Sequence, residues 1–161
     1  MTIRPATAAD WSLIWPFFDE IVKDGQTYAY PDDLTSSTAT SLWMEQPPGL
    51  TVVATEGDVV LGSAKMGPNR PARGSHVATA SFMVDPAARG KGVGRRLAAH
   101  VVEWARAEGY RAIQFNAVVE TNTVAVKLWQ DLGFEIIGTV PETFDHRVHG
   151  LVGLHVMHLS L

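Results

Sequence analysis

The segment Arg89–Arg95 constrains the fold of this chain more than any other, because three of its seven residues are glycines at alternate positions. The run Val77–Val84 before it predicts a strand, which Asp85-Pro86 ends. From Gly92 to Glu108 apolar residues recur at helical spacing, so the segment leads into a helix. Glycine lets the backbone approach a ligand closely, and a helix start presents unpaired N–H groups and a partial positive charge. The segment therefore predicts a strand–turn–helix unit whose turn can bind an anion.

The remaining periodicity predicts a single domain over residues 1–161, with one central sheet and helices on both faces, an α/β (α+β) fold. β-branched and alternating runs predict strands at 2–6, 50–56, 59–66, 77–84, 112–119, 135–140 and 151–159. Helical spacing predicts helices at 7–25, 34–45, 92–108 and 122–132. In the last of these helices, Val124, Leu128 and Leu132 form the expected apolar face. Residues 24–34 and 67–75 are expected to be loops.

Composition restricts the classes of function. The net charge of −4 argues against a nucleic-acid partner, which needs a broad basic face. No apolar run approaches the roughly 20 residues that span a bilayer, and the first residues lack the apolar stretch of a secretory signal. Cysteine is absent, which excludes disulfides and thiolate chemistry and fits a reducing compartment. We therefore expect a cytoplasmic protein with neither a membrane nor a nucleic acid as its partner.

Positive charge is concentrated at the glycine turn, the name used below for Arg89–Arg95. Four basic residues lie within eight positions of an acidic chain, which suits a small polyanion: Arg89, Lys91, Arg95 and Arg96. The turn is not a Walker A loop, because Lys91 is followed by Gly92 rather than by Ser or Thr. It is not the G-x-G-x-x-G dinucleotide fingerprint either, because its glycines alternate strictly. From the turn alone, a flexible loop that merely caps a helix is an equal alternative.

Two motifs in the right order resemble those of the GCN5-related N-acetyltransferase (GNAT) superfamily. The first, Arg89-x-x-Gly92-x-Gly94 after the strand Ser81–Val84, resembles its acyl-CoA signature [QR]-x-x-G-x-[GA]. The second runs from Asn122 through Ala125, Leu128 and Trp129 to Gly133-Phe134, and the resemblance covers roughly residues 75–140. It implies a mixed, mostly antiparallel sheet and an N-acetyltransferase that uses acetyl-CoA.

The resemblance also implies where the cofactor binds. In this family two neighbouring strands splay apart and the pantetheine arm fills the space between them. By match to the motifs, the backbones of Met83 and Val84 should bond the pantetheine, and the amides of the glycine turn should hold the pyrophosphate: Arg89, Gly90, Lys91, Gly92, Val93, Gly94 and Arg95. Asn122 should bond the pantetheine arm, although its position suits a plain helix cap equally well. Ala125 should let the cofactor pass close by.

One departure from the family concerns catalysis. Trp129 stands where many members have a tyrosine that is thought to protonate the departing thiolate, and an indole N–H cannot release its proton at useful pH. Either the thiolate leaves without a dedicated acid, or another group of the protein protonates it. Trp129 itself either packs against the cofactor or fills the core. Amide formation needs direct attack of the amine on the thioester, which mainly requires placement.

Candidate catalytic side chains lie on and after the strand 112–119. Gln114 and Asn116 share a face; Asn116 either orients the amine or is a bonded core amide. Glu120 could act as a base through water or be a solvated loop carboxylate. Candidates for the acceptor pocket are Tyr28, Tyr30, His76, Thr79, Ser81 and Asn116.

The acceptor class is suggested by a weaker resemblance. The run from Phe115 to Asn122 looks somewhat like the paired asparagines of proline-analogue N-acetyltransferases, which points to small amino-acid-like amines. No metal site is expected, because His155 and His158 point to opposite faces of a strand and no cysteine accompanies the histidines. Homodimers are common in the family.

Two other functions compete with an enzyme acting on a small-molecule amine. One is an acyl-CoA sensor or regulatory module without turnover, which the missing tyrosine favours. The other is an acetyltransferase acting on protein substrates, which would need an open groove for a peptide.

Overall fold

The computed structural model describes all residues, Met1–Leu161, and is built around one seven-stranded sheet. In chain order the strands are β1 (Thr2–Pro5), β2 (Leu50–Glu56), β3 (Val59–Pro68), β4 (Val77–Val84), β5 (Ala112–Val119), β6 (Glu135–His146) and β7 (Gly150–Ser160). They lie in the order β1-β2-β3-β4-β5-β7-β6, and every neighbouring pair is antiparallel except β4 and β5. The predicted fold class, a mixed and mostly antiparallel sheet, is confirmed.

The parallel pair is where the sheet opens. β4 and β5 are paired only at Val77–Ala112 and Ala78–Ile113, after which the two strands diverge. β4 stays paired with β3 up to Val84, and β5 stays paired with β7 up to Val119 with one irregularity after Phe115. The carboxyl-terminal halves of β4 and β5 therefore border a wedge-shaped opening, called the gap below.

The helices cover both faces of this sheet. They are α1 (Trp11–Asp24), α2 (Ser36–Trp43), α3 (Val93–Ala107) and α4 (Thr123–Asp131). α3 and Trp129 of α4 share one core with Ala78 of β4, whereas α1 and α2 share a second core with Met83 of the same strand. Because side chains alternate along a strand, these two cores lie on opposite faces. None of the helices combines the length and apolar character that crossing a membrane requires.

Local signals account for most of the boundaries. Thr35 caps α2 by accepting a hydrogen bond from the Thr38 amide at 3.2 Å, and Gly25 ends α1 in the left-handed conformation. In α3 the predicted apolar stripe, from Val93 to Ala105, is buried.

Two sequence expectations need correction. The apolar face expected on α4 is confirmed at Leu128 and Leu132, which pack against the core, but not at Val124, which is 82% exposed. Trp129 of the same helix is buried in that core as well. The strand expected at 135–140 continues to His146. β6 lies at the edge of the sheet, where a proline such as Pro141 is tolerated, and its pairing is irregular between Val140 and Phe144.

Candidate functional site

The glycine turn presents main-chain donors to solvent. Gly90 and Gly92 have φ values of 79° and 75°, a conformation that L side chains rarely adopt. Gly92 caps α3 without any side-chain bond, and the first bond of the helix runs from the Arg96 amide to the Gly92 carbonyl. The amides of Val93, Gly94 and Arg95 therefore have no partner within the helix. A helix start with free amides and no side-chain cap can bind an anion.

The basic side chains around the turn differ in their partners. Arg95 pairs with Asp131 at 2.8 Å, and Arg96 donates to the Met1 carbonyl at 3.0 Å. Arg89 and Lys91 are exposed and form no ion pair. These two side chains can move towards an anion on the turn without breaking a bond inside the protein.

The edge of β4 that borders the gap can be identified from its hydrogen bonds. The Val77 carbonyl accepts from Asn69 and the Asp85 amide donates to Leu61, so the peptide groups of odd-numbered residues face β3. Because peptide groups alternate along a strand, those of Phe82 and Val84 face the gap. Of the two backbones expected to contact the cofactor, that of Val84 lines the gap and that of Met83 is turned to β3, with its side chain buried.

A tyrosine side chain occupies the edge of the gap at Phe82. The Tyr28 hydroxyl accepts from the Phe82 amide at 2.9 Å and donates to the Phe82 carbonyl at 2.6 Å. The Tyr28 ring stacks on Tyr30 at 5.5 Å with an interplanar angle of 2°, and meets Trp43 edge-on at 6.2 Å. Burial raises the pKa of the Tyr28 phenol, so this hydroxyl stays protonated throughout the physiological range.

Trp129 lies below the same point, on the opposite face of the sheet from α1 and α2. Its ring is buried and lies 4.7 Å from the Phe82 ring and 4.8 Å from the Phe115 ring. The ring therefore forms part of the core, one of the two roles expected of Trp129, and its contact with the cofactor stays a prediction. At the start of α4, Asn122 Oδ1 accepts from the Ala125 amide at 3.3 Å, so the helix-cap role is present.

Two pockets adjoin the gap and share Tyr30. The first has a volume of about 390 Å³ and includes Thr79, Ser81 and Asn116 among its lining residues. Asn116 is exposed and not a core amide: it accepts from Gln114 at 2.9 Å and donates to Asn69 at 2.7 Å. The second pocket, of about 740 Å³, lies between residues 25–32 and the β6–β7 hairpin and includes Tyr28. Five of the six expected acceptor residues therefore line the two pockets.

Two expected residues lie elsewhere. His76 is exposed before β4, at the closed end of the parallel pair, and lines neither pocket. Glu120 lines neither pocket as well, and its Oε1 accepts from the Gly153 amide at 2.6 Å. The histidines are not gathered with acidic residues into a group of three or more.

Sequence reasoning missed charged residues in both pockets. Lys65 and Glu45 line the first pocket and form an ion pair at 3.1 Å; a lysine within the apolar run of β3 was a signal for this. His146 and Arg147 line the second pocket. His146 Nδ1 accepts from the amides of Val148 and His149, so the neutral ring carries its proton on Nε2 and acts there as a donor.

Comparison with known proteins identifies relatives of this arrangement. The sequence model described as the acetyltransferase (GNAT) family matches residues 12–134. The chain is 31% identical over 147 residues to the L-methionine sulfoximine/L-methionine sulfone acetyltransferase of Salmonella typhimurium, covering 88% of this chain and 84% of that protein. It is 36% identical over 83 residues to the N-acetyltransferase aca1 of Schizosaccharomyces pombe, covering 52% of this chain. It spans 40% of the length of that yeast protein.

Solved structures resemble the whole chain. A GCN5-related N-acetyltransferase from Kribbella flavida is 62% identical with a TM-score of 0.96, covering 99% of this chain and 97% of that one. A phosphinothricin acetyltransferase from Sinorhizobium meliloti, solved in complex with acetyl-CoA, is 26% identical with a TM-score of 0.86, covering 99% of this chain and 88% of that one.

Proposed function

The chain belongs to the GNAT family of acetyltransferases, and we propose that it transfers the acetyl group of acetyl-CoA directly to the amine of a small molecule, an amino acid or an analogue of one. One observation carries the proposal: the sheet opens between β4 and β5, and the opening lies beside a helix start whose amides are free. The open edge of β4 can bond an extended ligand such as the pantetheine arm, and the helix start can bind the diphosphate of the same ligand.

The residues at the gap fit the chemical parts of acetyl-CoA. The amides of Val93, Gly94 and Arg95 suit the pyrophosphate, with Arg89 and Lys91 free to neutralise its charge. The Val84 peptide suits the amides of the pantetheine arm, as an added strand would. Asn122 uses its oxygen as a helix cap, which leaves its amide nitrogen able to donate to the arm. Acetyl-CoA supplies an acyl group activated as a thioester.

The acceptor side supports a small, charged amine. The pockets of about 390 and 740 Å³ have the size of small-molecule sites. They contain both signs of charge, with Glu45 and Lys65 in the first and Asp32, Asp145 and Arg147 in the second. This mixture suits a molecule that carries an amine and an acidic group. The Salmonella relative acts on L-methionine sulfoximine and L-methionine sulfone, both of which are compounds of that kind.

The main contribution of this protein to catalysis is to place the amine and the thioester next to each other. Asn116 lies in the first pocket with its amide group fixed between Gln114 and Asn69, and is suited to orienting the attacking nitrogen. Trp129 supplies a wall of the gap rather than a proton, because its ring is packed among Phe82 and Phe115. Glu120 is held by Gly153, so we assign it a structural role. No covalent enzyme intermediate is needed.

Calorimetry with acetyl-CoA followed by an amine screen tests the proposal. The panel contains L-methionine sulfoximine, L-methionine sulfone, phosphinothricin, the common amino acids, and a peptide with a free lysine and a free N-terminus. We expect binding of acetyl-CoA and release of thiol with at least one small amine but not with the peptide. Turnover restricted to the peptide would favour protein acetylation, and binding without any turnover would favour the sensor. Absence of binding would overturn the proposal.

A further inference from the structure

The Tyr28 hydroxyl occupies a position that no residue of β5 reaches. It bonds both the amide and the carbonyl of Phe82, a residue 54 positions away in the chain. These are the peptide groups that an adjacent strand would bond if β5 had not diverged. A ligand arm lying along this edge of β4 must therefore meet the Tyr28 hydroxyl.

The position of Phe82 along β4 indicates which part of the ligand arrives there. The glycine turn begins five residues after Val84, so a ligand held by its phosphates at that turn passes Val84 first and reaches Phe82 later. Two residues of a strand span about 7 Å. Phe82 is thus on the inner side of the gap, next to Ser81, which lines the first pocket together with Asn116. The reacting end of the arm and the acceptor amine would meet at this point.

We propose that Tyr28 is a catalytic residue whose hydroxyl, together with the Phe82 amide, donates a hydrogen bond to the carbonyl oxygen of the acyl group. This inference rests on the proposed function. When acetyl-CoA binds, the phenolic O–H turns from the Phe82 carbonyl to the acyl oxygen, and the Phe82 amide exchanges the Tyr28 oxygen for the same acyl oxygen. Both donors then point at the atom on which negative charge develops.

The step is balanced without any net proton transfer from Tyr28. The amine lone pair forms the C–N bond while the π pair of the carbonyl moves to oxygen. That pair then returns to carbon as the C–S bond breaks, and sulfur leaves with the bonding pair. The proton lost by nitrogen goes to solvent, and the phenol keeps its own proton.

The surroundings of Tyr28 suit this role. Its ring is held between Tyr30, stacked in parallel, and the edge of Trp43, so the phenolic oxygen is in position before the ligand binds and only the O–H bond has to turn. Pre-oriented donors lose little entropy in the reaction. Trp129 cannot replace it, because its indole packs below Phe82 on the other face.

A different role for Tyr28 makes the opposite prediction. If its hydroxyl only closed the gap of the free protein, its bonds to Phe82 would have to be broken whenever a ligand enters. Removing the hydroxyl would then tighten the binding of both CoA and acetyl-CoA and leave kcat unchanged.

The experiment compares Tyr28→Phe with the control Tyr110→Phe, which removes a hydroxyl from a tyrosine that packs on Trp104 of α3 and lines neither pocket. Thermal melts establish that each variant folds. We expect kcat of Tyr28→Phe to fall by about 10²-fold, the usual effect of losing one such donor, and that of Tyr110→Phe to stay within about threefold. CoA affinity should be unchanged in both variants. The preference for acetyl-CoA over CoA should fall by about two- to tenfold in Tyr28→Phe, the weight of one neutral hydrogen bond.

Infrared spectra of bound, isotope-labelled acetyl-CoA give a readout that does not depend on turnover. Hydrogen bonds lower the stretching frequency of the acyl carbonyl, so this frequency should lie higher in Tyr28→Phe than in the wild type or in Tyr110→Phe. Wild-type kcat and an unchanged carbonyl frequency in Tyr28→Phe would overturn the inference and leave the proposed function intact. A wild-type protein that does not bind acetyl-CoA would overturn both.

Discussion

Gly92→Ala tests the most local part of the site, the start of α3. Gly92 has a φ of 75° and no atom within 4 Å of the position where a Cβ would be, so the substitution causes no steric clash with neighbouring residues. Its whole cost is backbone strain, about 1–2 kcal/mol for an alanine in the left-handed region. For a domain of this size, that lowers the melting temperature by roughly 2–8 °C, at about 2–4 °C per kcal/mol.

The same strain should lower the affinity for acetyl-CoA if the turn holds the pyrophosphate. An alanine turn relaxes away from the conformation in which the amides of Val93, Gly94 and Arg95 point together, and binding must restore that conformation. Restoring it costs up to the strain itself, which corresponds to a loss of acetyl-CoA affinity of about 5- to 30-fold.

Gly57→Ala is the matched control. Gly57 has a φ of 59° in the β2–β3 hairpin, again with nothing within 4 Å, and it lies outside the site. It should lose similar stability and keep the wild-type affinity. Calorimetric titrations of both variants, with melts in parallel, make the comparison. Equal affinities of the two variants for acetyl-CoA would refute the assignment of the pyrophosphate to this turn.

Two further predictions concern stability. Trp129→Ala should lower the free energy of unfolding by about 3–5 kcal/mol, because it empties a buried site between Phe82, Phe115 and Phe134, and Trp129→Phe should lower it less. Denaturant unfolding of both variants measures these losses. A loss below about 1 kcal/mol for the alanine variant would contradict the core role. The Arg4 guanidinium, at 2.7 and 2.8 Å, and Thr7 hold the pKa of Asp10 well below its usual range. The stabilisation of the folded state by the ionised Asp10 is therefore complete above the unfolded pKa of about 3.9, and it is lost as the pH falls below that value. Melts at pH 7, 4 and 3 should show the wild type approaching Asp10→Asn as the solution becomes acidic, and a constant difference would contradict this.

Sequence reasoning succeeded where the determinants are local. The bounds of β4 and β5 follow from turn residues at their ends, and α3 from its apolar stripe and its glycine cap. On α4 it was right about Leu128 and Leu132 and wrong about Val124, because helical spacing shows which residues share a face but not how much of that face the sheet covers. Val124 lies in the first turn of α4 and is exposed, whereas Trp129 near the end of the helix is buried.

The cofactor-binding part and the acceptor pocket of the site also differed in how well the sequence predicted them. The glycine turn is contiguous in the sequence, so its residues predict an anion site directly. Asn116 was identified as a polar residue in a strand, but its exposure depends on the irregular pairing between Phe115 and Val118. The contact between Tyr28 and Phe82 joins residues 54 positions apart, and no spacing rule connects them.

That contact also explains how the sheet can remain open. Where β4 and β5 separate, peptide groups of β4 lose the partners that a continuous sheet would provide, and buried peptide groups without partners are costly. Tyr28 satisfies both groups of Phe82 through one hydroxyl that can act as donor and acceptor. A side chain can exchange its partner by rotation, whereas a paired strand cannot leave without disrupting its whole ladder. The opening therefore persists in the free protein, and its inner edge remains available to an acyl group.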